Sequence, residues 1–66
     1  MTASQRSVLA ALGRQPHTVA SVAQRVDGRV NVVQDILNTL RLLGLVTLTP
    51  QGRWAATERG RKKAAA

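Results

Sequence analysis

The side chains that could take part in chemistry are mostly cationic. The 66-residue sequence has ten Lys and Arg residues, three acids (Asp27, Asp35 and Glu58), a single histidine, His17, and no cysteine. Catalysis by acid–base or nucleophilic routes needs a base beside a nucleophile or a second acid, and no motif here supplies such a pair. A lone histidine next to a proline does not indicate a metal site. The sequence therefore predicts no enzyme, no catalytic residue, no metal and no cofactor.

The cations carry the clearer chemical signal. A formal net charge of +7 on so short a chain predicts a polyanionic partner, most often nucleic acid. The charge is uneven, because residues 31–46 are neutral, with Asp35 against Arg41, and the segments on either side are basic. The alternative is that the Arg- and Ala-rich composition reflects genomic base bias and solubility.

The neutral segment predicts the helix that has to present any binding surface. At 100° per residue an apolar face recurs, made of Val33, Ile36, Leu37, Leu40 and Leu43. Asn31, Asp35 and Asn38 fall on the opposite side, and Gly44 ends the helix. This polar stripe is either an ordinary solvated face or a contact surface.

Two further helices precede that one. Thr2 and Gln5 form a predicted capping box for a helix over residues 3–12, which Gly13 ends. Thr18 or Ser21 caps a second, short helix through about residue 26, unless residues 17–19 form a brief strand first. The following Asp27-Gly28 pair predicts a turn, with Gly28 in the position of positive φ.

After Gly44 the period changes from 3.6 to 2. Residues 45–49 and 53–57 predict two strands joined by a turn at residues 50–52, which makes a hairpin. Val46, Leu48 and Trp54 are expected to pack on the helices, with contact to a partner as the less favoured role of Trp54.

The last residues complete the predicted domain organisation. Thr57 is a possible cap for a final helical turn or two. Residues 61–66 are basic and lack an apolar face, so we expect a frayed tail there after a domain over residues 1–60.

The order of helix, turn or strand, helix, turn, helix and hairpin resembles the winged helix-turn-helix domain of small bacterial, archaeal and phage DNA-binding proteins. The resemblance is carried by Val8-Leu9-x-x-Leu12-Gly13, His17-Thr18-Val19-Ala20-Ser21-Val22-Ala23 and Val33-x-x-x-Leu37-x-x-Leu40-x-x-x-Gly44-Leu45-Val46. Thr57-Glu58-Arg59-Gly60 is similar to the segment after the wing in regulators of the multiple-antibiotic-resistance type. The implied fold class is mainly α with a small β-hairpin, a three-helix winged helix-turn-helix.

The resemblance also implies a binding mode in which the third helix enters the major groove of DNA. The residues then expected to face bases are Asn31, Val32, Gln34, Asp35 and Asn38, and those expected on phosphates are Arg29, Arg53, Arg59, Arg61, Lys62 and Lys63. Asn and Gln can pair with adenine, and Val32 can touch a thymine methyl group. Asp35 departs from the family pattern, because a carboxylate repels DNA unless it accepts from cytosine N4.

The resulting functional prediction is a small DNA-binding protein, a transcriptional regulator or a phage or plasmid accessory factor. Its expected partner is double-stranded DNA, with a second copy or another protein as further possibilities and no membrane or small-molecule ligand. The expected location is the cytoplasm, with the nucleoid when bound. Two alternatives remain open: a protein-interaction module that docks through the neutral helix face and Leu42, and a non-specific architectural DNA binder.

Overall fold

The computed structural model describes residues 1–65, which form four helices and a two-stranded antiparallel sheet. In chain order the elements are α1 (Ala3–Leu12), α2 (Val19–Arg25), α3 (Val30–Leu42), β1 (Val46–Leu48), β2 (Trp54–Ala56) and α4 (Glu58–Ala65). α3 packs on α1 and α2, while α4 packs on α1 and β2. Within residues 1–65 no helix is long and apolar enough to cross a membrane.

Side-chain caps fix the starts of α1 and α2. The Gln5 N–H donates to Thr2 Oγ1 at 3.1 Å and the Thr2 N–H donates to Gln5 Oε1 at 3.0 Å, which confirms the predicted capping box. The Ser21 N–H donates to Thr18 Oγ1 at 3.2 Å, so Thr18 is the cap of α2. A short extended pairing precedes it, because His17 and Trp54 exchange two backbone hydrogen bonds of 2.8 and 2.7 Å.

α2 ends at a left-handed residue that is not glycine. Asp27 has a φ of 53°, and the N–H groups of Asp27 and Gly28 donate to the carbonyls of Gln24 and Ala23 at 3.3 and 2.9 Å, as in a Schellman motif. The prediction that Gly28 supplies the positive φ is therefore wrong. Gly28 provides space instead, since a Cβ there would lie 3.3 Å from a methyl carbon of Val33.

The core lies beneath the apolar face of α3. Val33, Leu37 and Leu40 are buried and Ile36 is half-buried, which confirms the predicted face at these four positions. The prediction is wrong for Leu43, which caps the end of α3 and is 50% exposed. The other elements contribute the buried side chains Val8, Leu9, Leu12, Val22, Ala23, Leu45, Val46 and Trp54. Burying a large apolar side chain stabilises the fold by about 1.5–3 kcal/mol, so this packing fixes which face of α3 remains in solvent.

The hairpin is anchored by its tryptophan. Leu48 lies opposite Trp54 in the antiparallel register, and Gly52, with a φ of 77°, closes the loop at residues 50–52. Trp54 is only 4% exposed and belongs to the core. The prediction that Leu48 packs as Val46 does is wrong: Leu48, the last residue of β1, is 38% exposed, whereas Val46 and Trp54 are buried.

The C-terminal segment differs from the frayed tail predicted for residues 61–66. α4 continues through Ala65, and residue 66 lies outside the described residues. The face that packs inward is made of small side chains one helical turn apart, because Gly60 is buried and Ala64 is half-buried against the core. Because this face contains no large apolar residue, the sequence pattern does not reveal it.

Gly60 and Thr57 join α4 to the end of α3. A Cβ on Gly60 would overlap the carbonyl group of Leu45, whose carbon atom would lie 2.9 Å away. Thr57 Oγ1 donates to the Gly44 carbonyl at 2.8 Å and accepts from the Gly60 N–H at 3.1 Å, so the predicted cap at Thr57 is confirmed. The end of α3, the end of the hairpin and the start of α4 thus meet at one point.

Asp27→Gly should raise the free energy of unfolding by about 0.5–1 kcal/mol, because glycine adopts positive φ without a steric penalty. Asp27→Asn is the matched control, since it removes the same charge but keeps the Cβ, and it should change stability less. Urea denaturation followed by circular dichroism measures both. A glycine variant no more stable than the asparagine variant would contradict the assigned strain.

Gly60→Ala should lower the free energy of unfolding by about 1–3 kcal/mol, because the added methyl group has no room beside Leu45. The sign is diagnostic, since Gly→Ala in an unobstructed helix stabilises by up to about 1 kcal/mol. Lys63→Ala, at an exposed position of the same helix, is the control and should stay within about 0.5 kcal/mol of the wild type. Thermal unfolding distinguishes the two outcomes.

Candidate nucleic-acid interface

The solvent face of α3 carries four of the five residues predicted to face bases. Asn31, Asp35 and Asn38 are exposed and Gln34 is half-buried. Gln34 Nε2 donates to Asn38 Oδ1 at 3.3 Å, which ties the two amides together. Their remaining groups, the Gln34 oxygen and the Asn38 NH₂, form a neighbouring acceptor and donor that point away from this bond.

The same face is partly apolar, and its charges cancel only because the exposed Arg41 lies three residues beyond Asn38. The exposed Asp35 puts a carboxylate among the amides, and the nearby Thr39 hydroxyl is occupied in donating to the Asp35 backbone carbonyl at 3.1 Å. Leu42 lies one turn beyond Asn38 and is 88% exposed. The face therefore offers hydrogen-bonding and apolar groups but little attraction for an anion.

Val32 lies to one side of this face. It is half exposed and lines a groove of about 260 Å³ with Ser7, Val8 and Ile36, between α3 and the N-terminal half of α1. The structure thus separates Val32 from the other four residues predicted to face bases.

Two predicted phosphate residues border the helix and the wing. Arg29 is exposed and immediately precedes α3 as its N-terminal cap position. Arg53 is exposed and directly follows the hairpin loop, and its N–H donates to Thr49 Oγ1 at 3.1 Å. This bond closes the loop and fixes the backbone that carries the Arg53 guanidinium.

The other predicted phosphate residues lie on α4, away from the loop. They are Arg59, Arg61, Lys62 and Lys63, and all four are exposed. β2 runs from the loop to Ala56, and Arg61 Nη1 donates to the Ala56 carbonyl at 3.5 Å, at the far end of the strand. The structure therefore does not bring these cations together with Arg53.

Arginines that the sequence analysis did not select lie near them. Arg61 and Lys62 line a shallow depression with Arg14, at the C-terminal end of α1, and Arg14 lines a neighbouring depression with Arg25. We call Arg14, Arg25, Arg61 and Lys62 the α1-end belt. Glu58 lies beside it and pairs with Lys62 at 3.7 Å. No local pattern signals this grouping, because the packing of α4 on α1 creates it.

His17 is a half-buried residue at the edge of these surfaces. Its Nδ1 lies 3.3 Å from Ser21 Oγ. Across residues 1–65 no three His, Asp or Glu side chains gather as a metal would require. The groups that the described residues offer to a ligand are thus charges and hydrogen-bond donors and acceptors.

Comparison with known proteins bears on the fold. No protein-family model matches the sequence, and no curated protein matches it. Among solved structures, ZitR from Lactococcus lactis is similar at a TM-score of 0.88 and 25% identity, over 98% of this chain and 46% of that one. A protein with unknown function from Listeria innocua Clip11262 has a TM-score of 0.88 and 22% identity, over 97% and 48% of the two chains.

A third solved structure matches a chain of similar length. A candidate DNA-binding protein from Ralstonia eutropha JMP134 has a TM-score of 0.75 and 25% identity, over 98% of this chain and 94% of its own. This chain spans about half the length of ZitR and of the Listeria protein. The predicted fold class is confirmed by these matches and by the observed helices and hairpin. The chain is a winged helix-turn-helix domain.

Proposed function

We propose that this chain binds double-stranded DNA, with α3 in the major groove and the wing on the adjacent backbone. The observation that carries the proposal is the exposed amide face of α3, held outward by burial of the opposite face in the core. An α-helix fits the major groove, where base edges differ in their donors and acceptors. Similarity to a candidate DNA-binding protein of nearly the same length supports the proposal.

In the proposed complex, different residues supply the affinity and the sequence selectivity. Arg29 and Arg53 contribute phosphate contacts, which position a protein on the duplex without reading its sequence. The free acceptor of Gln34 and the free donor of Asn38 match the N6 donor and N7 acceptor of adenine, and Asp35 can accept from cytosine N4. Since no arginine stands among these side chains to read guanine, the selectivity of the helix is modest.

The proposed role is that of a transcriptional regulator or a phage or plasmid accessory factor. Non-specific architectural binding is the variant of this role in which unrelated duplexes bind almost equally, because phosphate contacts then supply nearly all of the affinity.

A second candidate function is docking on another protein. The observation that favours it is Leu42, which is 88% exposed on a helix face without net charge. In this role the apolar side chain enters a pocket of the partner or of a second copy, and the surrounding cations only steer the encounter.

Arg29→Ala combined with Arg53→Ala should weaken binding to all duplexes alike, because the pair contributes phosphate contacts. The slope of log affinity against log salt should become shallower by roughly 2, at about 0.9 per contact. Fluorescence anisotropy of labelled duplexes at several salt concentrations measures this slope. Arg6→Ala combined with Lys63→Ala is the charge-matched control, with both residues exposed and away from α3 and the wing loop, and it should change the slope less. Equal effects of the two double variants, or no wild-type binding at low salt, would refute the proposed interface.

Leu42→Ser should change the free energy of unfolding by no more than about 0.5 kcal/mol, because Leu42 is solvated in the free protein. Duplex affinity should stay within about twofold of the wild type, because the proposed affinity comes from phosphate contacts of Arg29 and Arg53 and Leu42 lies beyond the proposed base contacts. Anisotropy and thermal unfolding measure the two quantities, and sedimentation velocity reports self-association. Loss of self-association with unchanged duplex binding would favour the docking function instead.

A further inference from the structure

We propose that the α1-end belt is a second phosphate-binding surface, through which one domain holds a second DNA duplex. The inference rests on the proposed function for the first duplex at α3 and the wing. It assigns a bridging activity to the chain, in which two DNA segments are joined without a protein dimer.

The distribution of charge is the first line of support. Gly60 and Ala64 turn one face of α4 inward, so the four cations of this helix all lie on its exposed sides. Together with Arg14 and Arg25 they make six of the ten cations in the sequence, and of the three acids Glu58 lies beside them. The belt, with four cations beside one carboxylate, is therefore more strongly basic than the amide face of α3, although Arg59 lies beside Gly44 at the end of α3 and not in the belt.

The position of the belt is the second line of support. Arg14 precedes His17, which pairs antiparallel with Trp54 near the wing loop, so the chain at Arg14 lies towards the Ala56 end of β2. Arg61 donates to the Ala56 carbonyl at 3.5 Å, so it lies at this same end of β2. The belt and the wing loop thus lie towards opposite ends of the hairpin in a domain of 27 × 25 × 19 Å, and the proposal places one duplex at each end.

The chemistry of the belt favours phosphate over a protein partner. Its central depression is lined by Arg14, Arg61, Lys62, Glu58 and Ala65, without a large apolar side chain to anchor a peptide. Guanidinium groups match phosphate oxygens in pairs, and the Glu58 carboxylate is offset by Lys62 at 3.7 Å. A domain already bound to one duplex also meets neighbouring DNA at a high effective concentration, which permits a weak second contact.

A structural role for the same cations is the competing explanation. The C-terminal end of α1 carries partial negative charge, which nearby arginines stabilise. That role predicts a lower melting temperature when Arg14 and Arg25 are replaced, and no change in DNA binding. The melting temperature and the capture of a second duplex therefore distinguish the two explanations.

The test uses beads that carry an unlabelled duplex saturated with the protein. It measures how much of a labelled duplex these beads capture from solution. Arg14→Ala combined with Arg25→Ala should reduce capture about tenfold at low salt, through loss of two phosphate contacts. Its single-duplex affinity, from anisotropy, should match that of the Arg6→Ala, Lys63→Ala control, which removes equal charge outside the belt and outside α3. Arg61→Gln combined with Lys62→Gln is the second belt variant, used if the first does not fold.

Three results would overturn the inference. The first is capture by both belt variants at the level of the control, which would show that bridging does not depend on the belt. The second is weakening of single-duplex binding by the belt variants as strong as that by Arg29→Ala with Arg53→Ala, which would place the belt on the first duplex. Loss of capture in Leu42→Ser would assign bridging to paired copies. If Arg29→Ala with Arg53→Ala instead leaves single-duplex binding intact, the proposed interface at α3 and the wing is refuted. The capture measurement then still decides whether the belt binds DNA.

Discussion

The close approach of Gly60 to the Leu45 carbonyl is the constraint on which the arrangement of this domain depends. Only a residue without a side chain lets α4 start so near the end of α3, where the Thr57 hydroxyl bonds to Gly44. From that point α4 runs along α1 and covers its outer side. The hairpin is thereby held by helices on both strands, since β1 packs on α3 and β2 packs on α1 and α4. An isolated pair of three-residue strands would be unstable in water.

This packing also separates charge from hydrogen-bonding capacity. α3 buries its apolar side and presents amides, a carboxylate and a leucine, while most of the cations are carried by α4 and by the ends of α1 and α2. Attraction to a polyanion acts over about 8 Å at physiological salt, whereas base readout requires direct contact. The two properties can therefore change independently, by substitutions in different helices.

Local chemistry made much of the fold predictable, and non-local packing accounts for the rest. The Thr2 cap and the apolar face of α3 follow from spacing along one helix. The sequence predicts the positive φ at Gly28, one residue after its observed position at Asp27, because both members of an Asp-Gly pair tolerate this conformation. For α4 the sequence predicts only a turn or two and then a frayed tail, because the inward face of this helix has no large side chain and packs against a carbonyl fifteen residues earlier. Likewise the exposed amides of the candidate site were predictable, whereas the grouping of Arg14 with Arg61 required the tertiary structure.

The bond between Gln34 and Asn38 has a consequence for motion along DNA. In the free domain the bond occupies the Gln34 NH₂ group and the Asn38 oxygen, so each amide keeps one group for a base edge, and a matching base gains less than it would from two free amides. On the proposed duplex the energy difference between successive registers is correspondingly shallow. In that proposed complex, a domain held mainly by phosphates would move readily from one base pair to the next, so the amide pair would favour one-dimensional diffusion over long residence at a single site.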